Sequence, residues 1–116
     1  MDQDPGFNVI RELAYQVAAL AAEPRWQELR RLWWEHNSLI KNRPMVLCRP
    51  VGAWRELIPP DSPISRQPLL RSIEQQLRMK LWKAQIGDDE VLEPWVVLEP
   101  VWTGPAGFYD IWGVSI

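Results

Sequence analysis

The chain has 116 residues, enough for one domain that buries most of its apolar surface without covalent staples, and a single domain is expected over residues 1–116. With 47% hydrophobic and 24% charged residues and a formal net charge of −2, it has the composition of a soluble globular protein and offers a phosphate backbone little, which excludes nucleic acid as a partner. One cysteine, Cys48, forbids an intramolecular disulfide; the opening "MDQDPGFN" lacks the basic region and apolar core of a secretory signal; and "VAALAA" is far below the roughly 20 residues that span a bilayer.

A cytoplasmic protein without membrane segments is the expectation. From the N-terminus, Asp4-Pro5 reads as a helix cap followed by proline in the first turn, and Phe7, Ile10, Leu13, Ala14, Val17, Leu20 and Ala21 recur at helical spacing to about Ala22. Pro24 opens a second helix, "PRWQELRRLWWEHN". Trp26, Leu29, Leu32 and Trp33 make one face of it and Arg25, Glu28, Arg31 and Glu35 the other, and Asn37 is the expected left-handed stop. "MVLC", bounded by Pro44 and Pro50, is too short for a helix and reads as a buried strand. The proline-rich "GAWRELIPPDSPISRQP" allows at most a turn of helix.

The third helix is the strongest local signal. In "PLLRSIEQQLRMKLWKAQIG", Leu70, Ile73, Leu77 and Leu81 share a face, Glu74 can pair with Arg78 one turn on, and Gly87 is the expected C-terminal cap. "VLEPWVVLEPVW" then reads as a second strand restricted by Pro94 and Pro100. The expected fold is therefore α/β or α+β: a helical N-terminal segment over residues 1–41, then a strand-helix-strand segment over 42–116 forming a parallel βαβ unit.

The stretch "RPMVLCRPVGAWREL" resembles the first strand and following turn of the uroporphyrinogen decarboxylase family, with Pro44, Arg49 and Gly52 in the family's order and spacing. "LWWEHNSL", "SRQPLLRSIEQQLR" and "GDDEVLEPWVVLEP" are similar to decarboxylase-like proteins related to corrinoid-dependent methyltransferases, so that the likeness spans about residues 26 to 107. It implies the start of a (β/α)8 barrel, a fold that needs about 250 residues and builds its active site from several strand ends. The chain alone is accordingly expected to be non-catalytic and to hold no cofactor. It would be an N-terminal segment contributing to the barrel start and an oligomer contact, with the remainder of a barrel enzyme or a corrinoid protein as partner. A stand-alone interaction domain that self-associates or binds a protein is the alternative.

Within that resemblance, Arg49 matches an arginine that holds a substrate carboxylate, and a planar, permanently charged fork suits that task. The family's second arginine in this turn falls on Ala53, and its substrate-binding aspartate falls near Val96, which counts against porphyrinogen chemistry. Cys48 and His36 are too few for zinc and read as a buried strand residue and a helix-end residue. Asp88, Asp89 and Glu90 read as a solvated acidic turn. Most of the eight tryptophans should be core, with Trp33 and Trp34 pointing about 100° apart. Unpaired strand edges and the aromatic terminus predict a homodimer, or a larger closed assembly, joined through Trp95 to Ile116.

Overall fold

The computed structural model describes residues 4–99, of which half lie in helices: α1 (Gly6–Ala21), α2 (Arg25–Asn37), a single turn α3 (Trp54–Leu57) and α4 (Pro68–Lys83). Pro5 and Pro24 occupy the N-cap positions of α1 and α2, where a missing N–H costs nothing, and Pro68 is the first residue of α4. The Asp4 carboxylate accepts the Gly6 N–H at 2.8 Å, so the acidic residue caps α1 from one position outside the cap itself.

Helix α1 packs along α4. Their buried apolar side chains are Val17 and Leu77; each contributes about 1.5–3 kcal/mol through removal from water. The junction is pinned at the front of α1, where a Cβ on Gly6 would lie 1.9 Å from Ser65 Oγ and 2.7 Å from Ser65 Cα, so only glycine admits the loop. Asp4 also accepts the Gln67 N–H at 2.9 Å and the Arg66 N–H at 3.0 Å, closing the same loop from the other side.

Ser65 donates through both its N–H (2.9 Å) and its hydroxyl (2.7 Å) to Glu74 of α4, which also accepts the Ile64 N–H and a two-pronged contact from Arg78 at 2.7 and 3.0 Å. Glu74 is 0% exposed. The expected one-turn Glu74–Arg78 pair thus forms, with its carboxylate buried and its guanidinium partly exposed. Burial alone would raise the Glu74 carboxyl; the bonds from Ser65, Arg78 and Ile64 outweigh it and hold the group at about 2.

The βαβ unit is not present, because the described residues contain no strand and the fold is helical. "MVLC" and residues 91–99 run without regular structure. The physical reason lies in their partners. Val46 and Cys48, two residues apart, turn their N–H groups to one side as an extended chain does, but the acceptors are the Asp89 and Asp88 carboxylates, both at 2.7 Å. One backbone bond of ladder type, from the Asp89 N–H to the Val46 carbonyl at 2.9 Å, joins "MVLC" to the turn before residues 91–99, and among the described residues none reaches 91–99 itself. The segment 91–99 attaches instead to α4 side chains.

The left-handed residue after α2 is Leu39, at φ 59°, not Asn37, which is still helical. Gly87 is left-handed at φ 76°, but α4 is capped at Ala84, so Gly87 redirects the chain three residues further on. Cys48 is exposed rather than buried. The stretch 101–116, with Trp102, Trp112 and most of the expected dimer contact, lies outside the described residues.

Candidate functional site

A cleft of about 630 Å³ lies between α2, α4 and the two extended segments. Such a volume falls within the range of about 300–1,000 Å³ typical of small-molecule sites. Trp26, Leu29 and Leu32 line it from α2, Met79 from α4 and Ala84 from its C-cap, Pro50, Val51 and Trp54 from the middle of the chain, and Val91 and Leu92 from the last segment. The apolar floor is fixed from outside. Trp26, buried, donates its indole N–H to the Leu20 carbonyl at 2.6 Å, and Trp54 meets Trp82 edge to face at 5.4 Å between ring centres.

The rim holds five cations, and four of them are engaged. Arg25 pairs with Glu23 at 2.8 Å and lies 4.2 Å over the Trp26 ring. Arg43 grips Asp89 through two nitrogens at 2.6 and 2.8 Å, Lys80 donates to the Glu93 carbonyl at 3.1 Å, and Lys83 pairs with Asp88 and with Glu90. The fifth is Arg49. Arg49 lines the cleft and is exposed, and its side chain has no hydrogen bond or ion pair among the described residues.

Every acid lining the cleft is likewise occupied: Glu28 with Arg31, Asp88 and Glu90 with Lys83, Asp89 with Arg43. Hydrogen bonds from Arg43 and then from the Val46 N–H, outweighing burial, hold the Asp89 carboxyl at about 2. Asp88 is lowered too: burial raises it, but Lys83 and the Cys48 N–H prevail. The acidic turn is therefore a built-in clamp on residues 43–48 rather than a solvated loop. Trp33 completes it by donating its indole N–H to the Asp89 carbonyl at 2.7 Å.

Of the residues singled out from sequence, Arg49 alone faces the cleft as a free group among the described residues. His36 sits in the last turn of α2, edge-on to Trp33 at 5.7 Å, and Cys48 is exposed; no group of three or more metal-ligating side chains occurs among the described residues. Ala53 precedes α3, and Val96 is half-buried beside α4. The tryptophans divide: Trp26 is buried, Trp33, Trp54 and Trp82 are half-buried, Trp34 and Trp95 are exposed. Arg43, Asp88 and Asp89 were not separately readable as a cluster, since Arg43 and Asp89 are far apart in the chain and nothing local joins them.

No helix among the described residues is long and apolar enough to cross a membrane. Comparison of the chain with protein-family models, curated proteins and solved structures found no match.

Proposed function

We propose that this chain is a non-catalytic binding module whose cleft takes an apolar ligand bearing a carboxylate, with the carboxylate on Arg49. The observation that carries the reading is the one guanidinium on an apolar cleft without a partner among the described residues, where the other lining cations are engaged. A planar fork with no internal acid is suited to a two-oxygen anion, while Trp26, Trp54, Met79 and Leu92 supply the surface for an apolar body. The same census speaks against acid–base catalysis there, because each lining acid is already paired with a cation. The reading applies equally to a segment of a longer decarboxylase-like protein and to a stand-alone module.

Isothermal titration with phenylbutyrate and with phenylbutanol tests it. The acid should bind saturably, and both the alcohol and the Arg49→Gln protein should lose about tenfold or more in affinity, the worth of one charge-assisted hydrogen bond. Equal binding of acid and alcohol, or acid binding indifferent to Arg49→Gln, overturns the proposal.

A further inference from the structure

Residues 95–99 lie along α4, held there through one residue. The Val97 N–H donates to Gln76 Oε1 at 2.9 Å, and Gln76 Nε2 donates to the Val97 carbonyl at 2.9 Å, so a side-chain amide plays the part of a neighbouring strand. An extended residue turns its N–H and C=O to the same side, and its neighbours turn theirs to the other. The backbone N–H and C=O groups of Val96 and Leu98 accordingly point away from Gln76. Neither backbone makes a hydrogen bond among the described residues. Trp95, Val97 and Leu98 are 58%, 63% and 60% exposed.

In the sequence the segment is flanked by residues that cannot donate. Pro94 and Pro100 stand three positions to either side of Val97 in the sequence. That symmetry selects a partner. If a second copy runs antiparallel with Val97 opposite Val97, then Val96 faces Leu98 of the other copy, and both N–H and both C=O groups of Val96 and Leu98 find mates in each chain. Sliding the register two residues either way sets Val96 or Leu98 against a proline and leaves a carbonyl without a donor. The centred register also sets Trp95 diagonal to Val97 of the partner, on the same face, an aromatic against a β-branched side chain.

We infer that residues 95–99 are a self-complementary strand edge through which two copies of this chain pair antiparallel about a two-fold axis at Val97. The interface is independent of the Arg49 cleft, and its failure would leave the ligand proposal untouched.

Cross-linking reads the register directly. In a Cys48→Ser background, Val97→Cys places two sulfurs on a non-hydrogen-bonded pair, where the Cα atoms are about 4.5 Å apart and within disulfide reach. Glu99→Cys puts them about 13 Å apart. Mild oxidation should convert most of the Val97→Cys protein to covalent dimer and leave the Glu99→Cys protein monomeric. Sedimentation velocity on the unmodified chain should show a concentration-dependent dimer that Leu98→Pro abolishes. A chain that stays monomeric at millimolar concentration overturns the proposal, as does cross-linking that is equal at the two positions or absent from both.

Discussion

At the start of α4, Glu74 and Asp4 take up the backbone N–H groups of residues 64–67; at its end, Asp88 and Asp89 take up those of Val46 and Cys48. Both ends use carboxylates to hold a loop that has no strand to lean on. They differ in what is left over. Around Glu74 the acceptors and donors are matched and the group is wholly enclosed, whereas around Asp89 the clamp borders an open cleft with Arg49 uncommitted among the described residues. Sealing at one end stabilises the fold, and incompleteness at the other leaves a place for a ligand.

The largest effect should come from breaking the sealed end. Glu74→Ala leaves the Ile64 and Ser65 N–H groups and the Arg78 guanidinium without their acceptor, and urea unfolding should show a loss of about 3 kcal/mol or more. A loss comparable to that of an ordinary surface substitution would erase the distinction between the two ends.

Acid should act on both ends together. Glu74 and Asp89 lie at about 2 in the folded chain against ordinary values of 4.5 and 3.8, so the unfolded chain binds protons first on acidification. Their stabilisation is complete above the unfolded values and disappears as the pH falls from there toward 2. Urea midpoints should therefore be flat near neutrality and drop steeply below pH 4.5, and Glu74→Gln should flatten that drop.

Asp89→Asn sharpens the comparison from the other side. It removes the Arg43 ion pair while keeping the shape, at a cost of about 1–2 kcal/mol, and hydrogen exchange should accelerate at the Val46 amide but not at Ser65. The smallest effect belongs to Arg49. With no partner to lose among the described residues, Arg49→Gln should change stability by less than about 0.5 kcal/mol, which thermal melting can check.

The helices were legible because a 3.6-residue period is a local property: α1, α2 and α4 fall within a few residues of the runs that predict them. The strands were misread for the converse reason. "MVLC" and "VLEPWVV" have strand-like composition, but pairing is a relation between distant segments, and here Asp88, Asp89 and Gln76 side chains took the positions that a neighbouring backbone would fill. Arg49 stood out as a candidate through its position after "MVLC", yet nothing in the chain announced the cleft. Its wall is assembled from four separate stretches, and the tryptophans that line it, Trp26 and Trp54, look no different in sequence from Trp34, which faces solvent.

The packing of α1 on α4 also bears on how the chain is made. A ribosome releases α1 well before α4 exists, and at about 5–20 residues per second the first helix waits several seconds for its partner. During that interval Val17 has no α4 to bury it, and the Asp4 carboxylate has neither Arg66 nor Gln67 to bind. An isolated helix of this length is marginal in water. The N-terminal quarter of the chain is thus expected to emerge as a fluctuating segment that becomes α1 only when α4 arrives, which makes its early exposure, rather than its final stability, the point at which a chaperone would engage it.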